Sequence, residues 1–297
     1  MRLLITGWHG QVARSLATAA ARNPRVETLA VGRPALDLVR LPTILRSLSD
    51  ARPDIVINTA AYTAVDKAED EPEAAAALNH EGAALLARAT AERGIPIIHL
   101  STDYVFDGTK VSAYVEDDPP HPLSVYGRTK RDGEIAVAAG NDRHVIVRTA
   151  WVYSPFGQNF VRTMLRLARE RDAVRVVEDQ IGSPTYAPHL ADLLLDLAAR
   201  LLADPPGGGY GVFHAAGAGE TSWADFAEAV FARSGQAGGP TAAVERIPTS
   251  GYPTRAARPA NSRLDCAKLA RVYGLRMPDW HEGLADCVPR LLAEPDA

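Results

Sequence analysis

Leu3-Leu4-Ile5 is followed at once by a glycine-spaced turn, Thr6-Gly7-Trp8-His9-Gly10-Gln11-Val12. An apolar strand, then Gly7-x-x-Gly10-x-x-Ala13, then a helix is the arrangement that lays a diphosphate on a helix N-terminus. Glycine lets the backbone turn sharply and lets phosphate oxygens approach its N–H groups, while the helix dipole adds partial positive charge. Ala13 stands where a third small residue lets helix and strand pack closely. An ordinary strand-to-helix turn is the competing reading, and the position directly after an apolar run favours the dinucleotide.

The same strand-then-helix rhythm continues. Apolar runs at 2–6, 26–31, 54–58, 96–101, 144–149, 174–177 and 212–214 lack strict polar alternation, as strands covered on both faces do. Helical patterns at 11–22, 43–51, 73–93, 126–139, 159–171 and 187–202 separate them. The alternation predicts an α/β fold, a doubly wound parallel sheet of Rossmann-like type. Past Trp151 the rhythm loosens, 204–209 reads as a surface loop, and 248–259 has three prolines and little periodicity. The expected organisation is a dinucleotide-binding domain over 1–150 and a smaller, mainly substrate-binding C-terminal lobe over 151–297. The runs at 174–177 and 212–214 are candidates to return to the sheet.

A chain of 297 residues with 46% hydrophobic and 23% charged content can bury a large core. Its net charge of −4 gives no general attraction to nucleic acid or to anionic membrane. The longest apolar stretch, 190–202, is interrupted by Asp192, Asp196 and Arg200 and reads as an amphipathic helix rather than a membrane span. Two late cysteines, Cys266 and Cys287, indicate no disulfide framework and point to inert thiols in the cytoplasm.

Tyr126 and Lys130 lie four residues apart in Ser124-Val125-Tyr126-Gly127-Arg128-Thr129-Lys130, on one face of a predicted helix. Reducing a ketone requires hydride at carbon and a proton at oxygen, given by a group within hydrogen-bond reach. A phenol with a pKa of about 10 holds its proton at neutral pH, and a nearby ammonium eases its release by stabilising the phenolate. Lys130 can also reach nicotinamide ribose hydroxyls. Thr102, at the carboxyl end of the 96–101 run, is placed to polarise the carbonyl, because ligands of open α/β sheets bind outside those ends. The second strand ends in Arg33 rather than in the acid that meets an NAD ribose, so NADPH is expected over NADH.

These residues together resemble the extended short-chain dehydrogenase/reductase family, and more closely the dTDP-4-dehydrorhamnose reductases, over nearly the whole chain. The most specific strings are Ala64-Val65-Asp66-Lys67-Ala68-Glu69 and Ser101-Thr102-Asp103-Tyr104-Val105-Phe106. Arg148-Thr149-Ala150-Trp151-Val152-Tyr153 and Arg258-Pro259-Ala260-Asn261-Ser262-Arg263-Leu264 extend the match. The resemblance implies NADPH-dependent reduction of the C4 ketone of dTDP-4-dehydro-L-rhamnose. It implies that Gly7, Gly10, Gln11 and Val12 meet the diphosphate, that Asp37 and Leu38 sit near adenine, and that Ala61, Tyr62 and Thr63 approach the ribose and nicotinamide. Tyr126 would donate the proton with Lys130 as its partner. Thr102, Asp103 and Tyr104 would meet the sugar, Trp151 would pack on it, and Arg258 would clamp the substrate diphosphate.

Some relatives hold Mg2+ with glutamates at a dimer interface. The corresponding positions here are Ser15 and Pro188, which offer no carboxylate, so a monomer or a metal-independent homodimer is expected. Three other functions share the pattern. One is a sugar-nucleotide dehydratase or epimerase on the same fold; a dehydratase would carry Glu after the Thr-Asp pair, where this chain has Tyr104, and an epimerase would hold NAD tightly through purification. A regulatory subunit of the methionine adenosyltransferase beta type would bind NADP without turnover. A reductase making another deoxysugar is barely distinguishable by sequence.

Overall fold

A computed structural model describes residues 1–203, 207 and 209–293. Most of the loop read at 204–209 therefore lies outside the described residues. Six parallel strands form the central sheet: β1 (Arg2–Thr6), β2 (Glu27–Val31), β3 (Ile55–Asn58), β4 (Ile97–Thr102), β5 (His144–Thr149) and β6 (Gly211–His214). They run in the order β6-β5-β4-β3-β1-β2. The chain builds outward from β1 to β2, then returns to place β3 on β1's other side. The sheet's topological switch thus lies between β1 and β3, where open α/β sheets leave a crevice for ligands.

The pairing register explains the apolar strands. One face carries Leu3, Ile5, Ile55, Ile57, Ile98, Leu100, Val145, Val147 and Phe213, packed under helices Gln11–Ala20 and Ala187–Ala203. The other carries Leu4, Val56, Ile97 and Ile146 under helices Leu41–Ala51, Ala83–Ala91 and Val125–Gly140. On this second face the strand ends turn polar: Thr6, Asn58, His99, Ser101, Arg148 and His214 are all buried there. Both faces are covered, so period-2 alternation is absent and the apolar runs are continuous.

Two expectations change. The 73–93 helix is broken into Pro72–Ala76, a π-helical turn Ala77–Gly82 and Ala83–Ala91. The π turn carries Asn79, whose Oδ1 accepts from the Tyr62 N–H at 2.7 Å and whose Nδ2 donates to the Thr129 hydroxyl at 3.1 Å. Such single π turns mark positions where a helix must aim one residue out of register. Of the two runs expected to rejoin the sheet, only 212–214 does. Strand Ala173–Val177 pairs in parallel with Ala243–Ile247 in a separate two-stranded ribbon. Arg175 is exposed on it, an arrangement that suits a half-covered ribbon and not a strand buried on both faces.

Beyond β5, helices Phe160–Glu170, Trp223–Gln236 and Trp280–Ala293 enclose a separate apolar cluster. Tyr153, Met164, Val176, Phe226 and Trp280 are among its members. No helix among the described residues is long and apolar enough to cross a membrane.

Helix Val125–Gly140 sits unusually close to its neighbours. A Cβ on Gly133 would lie 2.1 Å from the Asn79 carbonyl oxygen, and one on Gly127 would lie 2.1 Å from that of Tyr104. Backbone cannot give way as a flexible side chain does. Gly133→Ala is therefore expected to destabilise the protein by about 1–3 kcal/mol, the usual range for overpacking. Urea unfolding of the variant beside the parent protein measures this, and an unchanged midpoint would contradict the close approach.

Candidate active site

The carboxyl ends of β1, β3, β4 and β5 open onto one cleft of about 1010 Å3. At one end is the glycine turn. Gly7 has φ +81°, and a Cβ there would sit 3.0 Å from Ala60 Cα. Its N–H donates to the Val31 carbonyl at 2.9 Å, and Gly10 N–H donates to the Gly7 carbonyl at 2.9 Å, which closes the turn. Gly10 caps helix Gln11–Ala20 with extended backbone and no side-chain acceptor. The first N–H groups of that helix consequently stay available to an anion, and Gly10, Gln11 and Val12 line the cleft. Arg33, Leu38, Ala61 and Thr63 line it too. Arg33 forms no ion pair among the described residues, so its charge is uncompensated there.

The Tyr126 helix starts at a well-made cap. The Ser124 hydroxyl accepts from the Gly127 N–H at 3.1 Å, and Glu69 accepts from the Val125 N–H at 2.7 Å. One turn apart, Tyr126 and Lys130 both face the cleft. Lys130 is buried, and its ammonium donates to the Leu100 carbonyl at 2.6 Å. Burial pulls it down to about 8, opposed by the charge of Glu134. Burial likewise pushes Tyr126 up to about 12, opposed by the Thr102 hydroxyl and reinforced by Asp103. Lys130 thus commits one of its three N–H donors to a strand carbonyl, and the Thr102 hydroxyl faces the phenol.

Behind Lys130 lies the polar end of the sheet. Glu134 receives two parallel hydrogen bonds from Arg148, at 2.9 and 2.7 Å, with both side chains nearly inaccessible. The Thr6 hydroxyl donates to Asn58 Oδ1 at 2.5 Å, and Asn58 Nδ2 lies 2.9 Å from His99 Nδ1. Burial and the Lys130 charge hold His99 well below its ordinary range, so it is neutral and accepts through Nδ1. Ion-pairing and hydrogen bonding here satisfy charges that burial alone would make costly.

Asp103 and Trp151 form the far wall. The Thr102 hydroxyl donates to Asp103 Oδ1 at 2.9 Å. The other oxygen, Oδ2, has no partner in hydrogen-bond geometry, although Ser262 faces the carboxyl. Burial raises Asp103 to about 6. Tyr104 meets Tyr126 edge-on, with ring centroids 5.7 Å apart. Trp151 holds φ +46°, a strained conformation for a bulky residue. It is held there by a stack on Trp223, centroids 3.5 Å apart and planes within 5°, and by its indole N–H donating to Ser262 Oγ at 3.1 Å.

Three expected residues lie off the cleft. The Asp37 carboxylate accepts from the Val39 N–H at 3.3 Å, closing a local turn. The Tyr62 phenol donates to Glu71 at 2.7 Å and points away. Arg258 makes a two-pronged ion pair with Asp66, at 3.2 and 2.7 Å, so its charge is already neutralised. Conversely, Trp8, His9, Phe160 and Trp223 line the cleft without having been singled out. Trp8 and His9 lay inside the recognised turn. Phe160 and Trp223 each begin a helix just after an Asn159 or Ser222 cap, a signal for a helix start that carries no information about the cleft. Ser15 is buried, its hydroxyl donating to the Gln11 carbonyl at 2.8 Å, and Pro188 lies in the first turn of helix Ala187–Ala203.

A parallel sheet whose switch point carries a glycine turn, faced by a half-buried Tyr126, a buried Lys130 and a Thr hydroxyl, defines an extended short-chain dehydrogenase/reductase. A family model described as the RmlD substrate binding domain matches residues 1–293. The chain is 50% identical over 294 residues to the dTDP-4-dehydrorhamnose reductase of Sinorhizobium fredii, covering 99% of both chains. It is 40% identical to a probable dTDP-4,6-dihydroxy-2-methyloxan-3-one 4-ketoreductase of Streptomyces antibioticus, covering 99% of this chain and 96% of that one. Among solved structures, the dTDP-4-dehydrorhamnose reductase of Bacillus anthracis in complex with NADP superposes with a TM-score of 0.89 at 35% identity, covering 96% of this chain and 98% of that one. The chain belongs to the dTDP-4-dehydrorhamnose reductase family.

The raised Asp103 carboxyl has a consequence for stability. Its folded-state pKa of about 6 exceeds its ordinary value of 3.8, so the folded protein binds this proton more tightly than the unfolded chain. The group costs nothing below about pH 4, and its penalty grows as pH rises through 6. Asp103→Asn keeps an acceptor for Thr102 and removes the charge. It should stabilise the protein at pH 8 by on the order of 1–3 kcal/mol and have little effect at pH 4. Denaturant titrations at the two pH values test this, and equal effects at both would contradict it.

Proposed function

We propose that this protein reduces the C4 ketone of dTDP-4-dehydro-L-rhamnose to dTDP-L-rhamnose with NADPH. The observation carrying the reading is the meeting of Tyr126, Thr102 and Lys130 in the same cleft as an uncapped helix N-terminus. The family supports it, as does the NADP in the complex of the B. anthracis relative. The glycine turn and the open N–H groups of helix Gln11–Ala20 fit a dinucleotide diphosphate. The unpaired Arg33 suits a 2′-phosphate, which favours NADPH over NADH. When bound, the nicotinamide supplies hydride to the ketone carbon. Mg2+ has no assigned place in this reading.

The chain's own residues supply the rest. Tyr126 donates a hydrogen bond to the ketone oxygen and passes its proton to it as the alkoxide develops, and Thr102 joins it by turning its one O–H from Asp103 to that oxygen. A phenol pushed up to about 12 is fully protonated at neutral pH, so the acid is loaded before substrate arrives. The charged Lys130 counters the phenolate left behind. Asp103, Tyr104 and Trp151 border the sugar, and the segment beyond 150 supplies its outer wall. The two cysteines are unpaired, Cys266 half-buried and Cys287 buried, which fits the cytoplasm. We assign a monomer or a homodimer formed without metal.

A second reading, a 4-ketoreductase of another deoxysugar, is favoured by the S. antibioticus relative. Assaying the C5 epimers of the 4-keto-6-deoxy sugar nucleotide, with product configuration by NMR, separates the two. An NADP-binding regulatory subunit would show no NADPH consumption with either.

Tyr126→Phe should keep NADPH affinity within about twofold and lower kcat by 100-fold or more, the usual worth of a positioned acid. Near-normal turnover would refute the role. Burial pulls Lys130 down to about 8, so kcat/KM should fall as pH rises above about 8, when its charge is lost. A profile flat to pH 9.5 would remove Lys130 from the mechanism.

A further inference from the structure

Gln11 follows the glycine turn, and its side chain is turned toward segment 152–159. Its Oε1 accepts from the Ser154 hydroxyl at 2.8 Å and from Asn159 Nδ2 at 3.1 Å, and its Nε2 donates to the Val152 carbonyl at 3.4 Å. Both ends of the amide are therefore engaged. Asn159 fixes the orientation: its Nδ2 also donates to the Ser154 carbonyl at 2.8 Å, while its Oδ1 accepts from the Arg162 N–H at 3.2 Å. Asn159 is thus the N-cap of helix Phe160–Glu170 and at the same time the partner of Gln11. Gly157 packs against the same side chain, 3.7 Å from Gln11 Cγ to the position of a Cβ there.

We propose that Gln11 is a positioning residue for the substrate side of the cleft, tying segment 152–159 to the cofactor turn. That segment and the helix it leads into deliver Gly157, Gln158 and Phe160 to the cleft wall, and Phe160 packs on Trp223 with centroids 4.6 Å apart. Trp223 in turn stacks on Trp151. One amide therefore sets the distance between the diphosphate cradle and the aromatic wall that the sugar nucleotide meets. The backbone N–H groups of the turn remain for the dinucleotide, so the two duties of this position separate: main chain for cofactor, side chain for substrate. The proposal rests on the reductase reading for the identity of that substrate and on the hydrogen bonds alone for the brace.

Gln11→Met preserves volume and deletes the three hydrogen bonds. The expected result is an NADPH dissociation constant within about twofold of the parent, a sugar-nucleotide KM raised roughly tenfold with kcat changed less, and a weaker dTDP affinity to match. Amide hydrogen exchange at 156–163 should quicken in the variant. Asn159→Ala should act alike, and the double variant should show much less than the product of the two effects, as partners in one contact do. A weakened NADPH affinity with unchanged KM would overturn the proposal, as would unaltered exchange at 156–163 or independent effects in the double variant. If the parent protein binds NADPH but neither dTDP nor the keto sugar, the reductase reading fails, and the exchange comparison still decides the brace.

Discussion

Helix Val125–Gly140 touches its surroundings backbone to backbone, and the rest of the site depends on that closeness. At Gly127 and Gly133 no side chain fits between this helix and the carbonyls of Tyr104 and Asn79. A helix held that near can sink Lys130 far enough to reach a carbonyl of β4, and it can bring Tyr126 to the hydroxyl at that strand's end. Polar contacts then fix what sterics allow. Glu134 locks the same helix to β5 through Arg148, and Asn79 ties it through Thr129 to the turn that carries Tyr62.

The sheet divides its work along the strand direction. Its amino half is aliphatic on both faces and supplies the core, while the carboxyl ends carry the buried hydroxyls, amides and rings on one face. This gradient is what lets a rigid, water-excluding body end in reactive groups. Burying Asp103, Lys130 and His99 shifts each toward its neutral form, a cost to stability that the scaffold bears.

Much of this was legible in the chain. The strands of the central sheet, the glycine turn and the Tyr/Lys pair follow from local pattern, because continuous apolar runs and i,i+4 spacing are properties of neighbours in sequence. The π turn at Ala77–Gly82 was not, because the tertiary bond of Asn79 to Tyr62 overrides an otherwise helical stretch. Arg258 reads in sequence as a loop cation open to a ligand, and folding brings Asp66 against it from far along the chain, a pairing that sequence spacing does not reveal. Phe160 and Trp223 reached the cleft by the packing of three helices that no short window of sequence could place. The side chains of Asp37 and Tyr62 turn to partners close in the chain, Val39 and Glu71, a choice of direction that local pattern does not encode.

The indole of Trp151 has already spent its single N–H on Ser262. Under the proposed function, what it would offer a pyranose is therefore shape without a polar handle. Such a surface is a poor reader of whether a given carbon bears a hydroxyl, since no donor is stranded when the group is missing. It resists a ring that is bent or epimerised into its volume. Sugars lacking one oxygen should pass this wall more easily than sugars of the wrong pucker, and selectivity among hydroxyl patterns must be exercised elsewhere in the cleft.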